Sequence, residues 1–432
     1  MAAATDSVER IDYVRRAYAV WELTLRCNLA CVHCGSRAGP PRQDELSTAE
    51  ALDLVEQLAE AGITDVTLEG GEAFLRRDVF QIARAIDAHG MRCSLLTGGF
   101  GVSQKLADRL VEAGVRWAAC SIDGLETTHD HIRGRKGSYQ QVLKTLDHFR
   151  RAGMSFGCNT QVNRLSAPEL PRLYEVIRDA GARVWQVQLT LPMGNAADNW
   201  GLIHAPYELP ELYPVLARVF SRANREDVKV TPGNNIGYFG PYERVLREAV
   251  PEGADWMGCQ AGLFVIGIHA NGEVKACPTL PAAFVGGNVR ETRLVELLER
   301  PLYTFNDDAG TDEGAAHLSG FCGTCTWGAV CRGGCTAVTH NLLGARGNNP
   351  WCHYRSLELA ARGQRERIAL VERAPGTPFD SARFEIIEEP ADAPHPTAPY
   401  PVFTADAVIW PPGWEDWPTP APRPPVEVVD VA

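Results

Sequence analysis

The segment Cys27-Asn-Leu-Ala-Cys31-Val-His33-Cys34 places three thiols within eight residues. Thiolates at that spacing can reach three corners of an iron–sulfur cubane and leave the fourth iron without a protein ligand, open to chemistry. A structural cluster or a zinc ribbon is normally closed by a fourth ligand. His33 could supply one to a zinc ion, but it neighbours Cys34, and adjacent side chains do not easily face one ion. A second group, Cys259, Cys277, Cys322, Cys325, Cys331, Cys335 and Cys352, holds seven of the thirteen cysteines. By residue type alone it could hold clusters, or one four-thiolate zinc site with spare thiols, because zinc accepts CxxC pairs such as Cys322 and Cys325. Cys93, Cys120 and Cys158 lie in apolar strand-like runs and read as small buried hydrophobes.

The elements that must position these thiols alternate. Strands are expected at Ala19–Leu25, Asp65–Leu68, Arg92–Leu96, Arg116–Ile122, Ser155–Val162 and Val184–Leu189, separated by stretches of helical periodicity. Ser47 with Glu50, and Ser166 with Glu169, have capping-box form, while Gly62, Gly114, Gly153 and Gly181 stand where helices should stop. Polar and glycine-rich segments follow the strand ends, which favours a parallel barrel over a doubly wound sheet. The expected fold class is therefore α/β, a partial (β/α)6 TIM-like barrel over 19–195. A helical linker region (196–254), a small cysteine-rich domain (255–355), a C-terminal helix (356–373) and a Pro-rich acidic tail (374–432) follow. The tail carries 14 of the 29 prolines in 59 residues and is expected to be extended or disordered and untethered.

Composition removes several classes of function. The chain has 432 residues, 45% hydrophobic and 22% charged, enough for a sizeable core. A net charge of −12, with no Lys/Arg-rich run, opposes a nucleic-acid or anionic-membrane partner. The N-terminus lacks the apolar run of a signal peptide, and no stretch of eighteen apolar residues follows. Cytoplasmic localisation is expected. In a reducing compartment, clustered thiols point to metal or catalysis.

The CxxxCxxC loop after the first strand resembles the signature of radical S-adenosylmethionine (SAM) enzymes. Gly70-Gly71-Glu72 is similar to that family's GGE motif, with Ala73 where a proline is usual. The resemblance implies that Gly70, Gly71 and Glu72 hold the amino group of SAM, and that Ser121, in Ser121-Ile-Asp-Gly124, meets the ribose. It further implies that Arg133 takes the SAM carboxylate, with Asn159 and Gln161 facing the ligand. The spacing of the second cysteine group is similar to the SPASM domain. By that resemblance Cys322, Cys325, Cys331 and Cys352 close one auxiliary cluster, while Cys259, Cys277 and Cys335 hold another whose fourth ligand is not a cysteine.

A radical SAM/SPASM resemblance implies a [4Fe-4S] cluster that binds SAM, two auxiliary [4Fe-4S] clusters, and a flavodoxin or ferredoxin reductant. It implies reductive cleavage of SAM to a 5′-deoxyadenosyl radical that takes hydrogen from a substrate C–H bond. The expected substrate is a ribosomally synthesised peptide. A sulfatase-maturing role is disfavoured, because Pro278 follows Cys277 where that group has an acidic residue. About eighteen residues precede the first strand, so any leader-peptide-binding protein is expected to be a separate chain. The alternatives are a small molecule, such as a tetrapyrrole side chain, a carbohydrate or a cofactor precursor, and a non-catalytic iron–sulfur electron carrier or scaffold.

Overall fold

The computed structural model describes residues 17–248, 256, 258–306 and 315–422. Six parallel strands carry the core: β1 (Tyr18–Thr24), β2 (Asp65–Gly70), β3 (Arg92–Thr97), β4 (Val115–Ser121), β5 (Ser155–Val162) and β6 (Val184–Leu189). They pair in sequence order, each to the next, as right-handed βαβ crossovers produce. Helices α1 (Thr48–Glu60), α2 (Val79–Ala88), α3 (Gln104–Glu112), α4 (Glu126–Ile132), α5 (Ser138–Arg151) and α6 (Leu170–Asp179) make the crossovers. The partial barrel expected from the sequence is thus present, with strand limits within one or two residues.

Local chemistry explains the element ends. On α1 the Ser47 hydroxyl accepts from Glu50 N–H (3.3 Å) and the Glu50 carboxylate accepts from Ser47 N–H (2.7 Å). Its Ala51, Leu54, Val55 and Leu58 then present one buried face, and Gly62 turns the chain with a positive φ of 76°. The second expected capping box does not form. Ser166 is helical in backbone and bonds Asn163 N–H (3.0 Å), while Glu169 reaches Leu125 N–H (2.7 Å) and Thr128 (2.9 Å) instead.

Beyond β6 the sheet continues. The expected helical linker contains the one-turn α7 (Asn195–Asp198), the long α8 (Leu209–Arg225) and the short α9 (Glu243–Leu246). It also holds β7 (Lys229–Pro232), which extends the sheet beside β6 and is too short to show a period. On the other edge β8 (Val265–Ile268) lies parallel to β1 and is followed by antiparallel β9 (Glu273–Lys275) and β10 (Gly287–Asn288), giving the order β10-β9-β8-β1-β2-β3-β4-β5-β6-β7. The cysteine-rich region therefore shares its first strands with the barrel sheet.

Two C-terminal expectations need correction. The helix ends at Ala361 instead of continuing to 373, because Gly363 adopts a left-handed φ of 68°. The following Gln364–Glu372 becomes β11, paired with β12 (Arg383–Pro390). Arg365 and Arg367 clasp Glu389 across this ladder at 2.9 Å each, and Arg355 forms a buried pair with Glu366 at 2.6 Å. The tail is extended, as its prolines require, but through residue 422 it is not untethered. Trp410, Trp414 and Trp417 meet Arg218, Arg222 and Arg225 of α8 in turn, the two series having the same spacing of four and three residues. Trp414 is 0% exposed, lies edge-on to Tyr174, and donates to Glu175 (3.1 Å). Composition predicts solvation because it carries no register, whereas this match is one of position. Residues 423–432 lie outside the described residues, and no helix among the described residues is long and apolar enough to cross a membrane.

Removing a fully buried tryptophan leaves a cavity and an unpaired Glu175, so Trp414→Ala should destabilise the chain by about 3 kcal/mol. A urea or thermal transition followed by circular dichroism checks this; an unchanged midpoint would mean that the tail is not docked.

Candidate functional site

Strand alternation sorts the barrel side chains. Trp185 donates to Thr160 (2.9 Å) and stacks on Tyr174 of α6, which puts this face of β5 and β6 towards the helices. Asn159, Gln161, Gln186 and Gln188 therefore face the concave side, where Asn159 pairs in register with both Ser121 and Gln186, and Gln161 with Gln188. Further round, Tyr18, Thr67 and Ser94 form a hydroxyl chain (2.8 and 2.6 Å). Glu22 and Glu69 stand opposite each other on β1 and β2. The lumen is lined by amides, hydroxyls and two carboxylates together with the apolar Val20 and Ala119, which alternate with the core-facing residues of β1 and β4.

Cys27, Cys31 and Cys34 occupy the loop leaving β1, and several elements hold that loop. Cys27 N–H donates to Gly39 (2.9 Å), closing its base. Ala30 and Val32 donate to the carbonyls of Arg133 and Ile132 at the end of α4 (3.2 and 2.9 Å). From α7, the Asn195 amide donates to Cys31 O (2.9 Å) and its N–H to Cys34 O (2.9 Å), while Asn199 donates to Val32 O (3.0 Å). The thiols already receive amides: Leu29 N–H lies 3.4 Å from Cys27 Sγ and Ala38 N–H 3.4 Å from Cys34 Sγ. Burial pushes the Cys27 thiol up to about 11 and Cys31 to about 12, so iron must displace their protons on binding.

The Gly70-Gly71-Glu72 turn abuts this loop. A Cβ on Gly70 would lie 2.1 Å from Thr24 O and one on Gly71 2.2 Å from Arg26 O, so any larger residue would force β2 away from the cysteine loop. Glu72, 1% exposed, accepts from Thr97 Oγ1 (2.5 Å) and Gly98 N–H (2.6 Å), and burial raises its carboxyl to about 7.

Sequence reasoning missed Asp123, the centre of the site's electrostatics. Fully buried, it pairs with Arg133 (2.6 Å) and with His33 Nε2 (3.3 Å), and accepts from Gln161 N–H (2.9 Å). Although burial opposes its charge, the Arg133 guanidinium and His33 hold its carboxyl well below the usual range. Asp123 lies inside the quoted Ser121–Gly124 segment, so the acid itself was visible. Its pairing with an arginine ten residues on was not. Arg133 Nε keeps no hydrogen-bond partner, an orphaned donor beside the cysteine loop that suits an anionic ligand group.

The seven later cysteines divide into two sets by mutual proximity. Burial first, and then the neighbouring thiols, raise the thiol pKa values: Cys331 feels Cys352, Cys322 and Cys325, whereas Cys335 feels Cys259 and Cys277. Cys322, Cys325, Cys331 and Cys352 line one cavity, walled by Tyr238, Phe239 and Trp327. Among the described residues no three Cys, His, Asp or Glu side chains converge on a single ion. Four thiols around one cavity are a donor set that a thiolate-bound metal group could use. Cys93, Cys120 and Cys158 are buried in the core, as expected.

A family model described as the radical SAM superfamily matches residues 21–163. An AdoMet-dependent heme synthase of Oleidesulfovibrio alaskensis is 30% identical over 350 residues, covering 78% of this chain and 86% of that one. The chain belongs to the radical SAM superfamily. Mycofactocin maturase MftC of Mycobacterium tuberculosis is 28% identical over 322 residues, covering 74% of this radical SAM chain and 78% of the maturase. The structure of Streptococcus suis SuiB bound to precursor peptide SuiA has the same fold, with a TM-score of 0.58 at 17% identity, covering 78% of this chain and 74% of SuiB. Membership implies that this radical SAM protein uses a [4Fe-4S] cluster and SAM.

Glu69 supplies a test of the lumen's electrostatics. Burial and the Glu22 carboxylate push it up to about 7. A folded value above the ordinary 4.5 means that its contribution to stability is full below pH 4.5 and is lost as the pH rises to 7. Glu69→Gln should flatten the stability profile between those limits, read from urea midpoints at stepped pH; an unchanged slope would place the carboxylate in water.

Proposed function

We propose that the chain reductively cleaves SAM and directs the resulting radical at a C–H bond of a ribosomally synthesised peptide. The observation that carries this reading is the open ligand set. Cys27, Cys31 and Cys34 share one loop, and the one histidine among them turns its Nε2 to Asp123 at 3.3 Å. When bound and reduced, a [4Fe-4S] cluster with SAM on its open iron supplies a 5′-deoxyadenosyl radical, which takes a hydrogen atom from substrate.

The protein's part is positioning. Gly70 and Gly71 bring the main chain against the cysteine loop, and Glu72, fixed by Thr97 and Gly98, offers its carboxylate to the SAM ammonium. Arg133 receives the SAM carboxylate through its unpaired edge. Ser121 and Asn159, neighbours across β4 and β5, present hydroxyl and amide to the ribose, with Gln161 beside them. Cys322, Cys325, Cys331 and Cys352 hold one auxiliary cluster of SPASM type, and Cys259, Cys277 and Cys335 another. Tyr238, Phe239 and Trp327 wall the four-thiol cavity and would limit the access of water to a group held there. A flavodoxin or ferredoxin in the cytoplasm delivers the electron.

The lumen favours a peptide. Its amides match peptide N–H and C=O groups, and the cations nearest to it are engaged: Arg42 by Glu22 (2.8 Å), and Lys275 by the carbonyls of Pro278 (3.0 Å) and Leu280. Support also comes from SuiB, a chain of this fold solved with a precursor peptide. The second reading, a tetrapyrrole bearing propionate side chains, is favoured by the 30% identity to a heme synthase. It would need cations freed from these partners.

Anaerobic reconstitution tests the assignment. Iron and sulfide should reach the content of three [4Fe-4S] clusters, and SAM with dithionite should yield 5′-deoxyadenosine. Cys27→Ala with Cys31→Ala should abolish that product while the iron falls by one cluster. Retained cleavage in this variant, or zinc as the only metal, refutes the reading, and turnover of a propionate-bearing iron porphyrin would select the second substrate class.

A further inference from the structure

Tyr238 touches both auxiliary cysteine sets. Its phenol oxygen accepts the N–H of Cys335 at 3.3 Å, and its main-chain carbonyl lies 3.5 Å from Cys352 Sγ. The ring packs against Gly334, with Cε1 and Cζ each 3.1 Å from where a Cβ would stand and Asn349 Nδ2 on the same position at 2.6 Å. Gly334 lies between Cys331, of the four-thiol set, and Cys335, of the three-thiol set. Tyr238 thus covers the short segment that links the two sets covalently, and lines the four-thiol cavity as well.

The backbone is bent to put it there. Tyr238 and Phe239 adopt positive φ values of 73° and 61°, a region that bulky side chains avoid, and such conformations persist where the surroundings over-determine them. Three contacts do so here. Tyr213 Oη accepts Gly237 N–H (2.8 Å), Trp256 lies edge-on to the Tyr238 ring (4.9 Å), and Phe239 stacks on Trp327 (4.4 Å). The phenol donates its O–H to Asn234 O (2.6 Å), which fixes the direction of its lone pairs.

We propose that Tyr238 is a positioning residue shared by the two auxiliary cluster sites, its ring setting their spacing and its phenol withholding the Cys335 N–H from the neighbouring sulfur. The inference rests on the auxiliary clusters of the function proposed above. An N–H donated to a cluster sulfur stabilises the more negative, reduced state and raises the potential. Keeping that donor on the phenol holds the three-thiol cluster at a lower potential than it would otherwise have.

Spectroelectrochemistry with EPR on the anaerobically reconstituted full chain tests this without a substrate. Tyr238→Phe keeps the ring and removes the acceptor. The cluster at Cys259, Cys277 and Cys335 should shift to higher potential while the four-thiol cluster stays in place. Tyr238→Leu removes the ring over Gly334 and should change the EPR signals of both clusters, or lower iron at both. Tyr174→Phe, a control that removes a hydroxyl bonded to Glu226 in the barrel wall, should move neither potential. An unmoved three-thiol potential in Tyr238→Phe, or a change at one cluster alone in Tyr238→Leu, overturns the proposal. Wild-type protein holding the iron of a single cluster overturns the auxiliary-cluster reading itself, a separate and recognisable failure.

Discussion

The mouth of the barrel depends on one buried ion pair. Asp123, at the end of β4, holds Arg133, and Arg133 and its neighbour Ile132 give their carbonyls to the cysteine loop. The same carboxylate holds His33 within the loop. Two charges taken out of water seldom add net stability, yet breaking such a pair costs about 3 to 5 kcal/mol, because one charge is left buried alone. The pair therefore specifies an arrangement more than it strengthens the fold. It fixes where Cys31 stands relative to β4 and commits the one histidine among the three cysteines.

Close packing makes the second constraint. Gly70 and Gly71 let β2 run against the backbone of Thr24 and Arg26, so the loop bearing the thiols and the turn bearing Glu72 form one body. Asn195 and Asn199 close the loop from the far side of the barrel, and Arg37 continues that link to Asp198 (2.6 Å) and Asp380 (2.7 Å). Asp380 belongs to the connection between β11 and β12. A hairpin beyond the last cysteine is in this way tied to the first cysteine loop.

What the sequence disclosed follows from how far each signal reaches. Strands and helices were legible because period and caps are local, and both cysteine groups because thiols are rare and their spacing is informative. The division of the seven later cysteines was legible only by resemblance, since Cys331 and Cys335 are four residues apart and belong to different sets. Asp123, Asn195 and Tyr238 were missed because an acid, an amide and a phenol acquire meaning only from their partners. The docked tail was missed for the same reason: Trp410, Trp414 and Trp417 match a register on α8 that lies nearly two hundred residues earlier.

The sheet connects these observations. Because β8 pairs with β1 in parallel and β9 returns antiparallel beside β8, Cys277, just past β9, stands one strand beyond β8 from the strand that launches Cys27. The Cys277 thiol is close enough for its charge to act on Tyr18, whose hydroxyl opens the Tyr18–Thr67–Ser94 chain across the lumen. Cys27 leaves the C-terminal end of β1 and Tyr18 opens its N-terminal end, so the rise from the first to the last of the strand's seven residues, roughly 20 Å at about 3.3 Å per step, sets the distance between the first cysteine loop and the surroundings of Cys277. The amide and carboxylate side chains between these ends face inward because strand periodicity puts them there. The three-thiol loop and the surroundings of Cys277 thus stand towards opposite ends of β1, an order dictated by hydrogen-bond register before any side chain is considered.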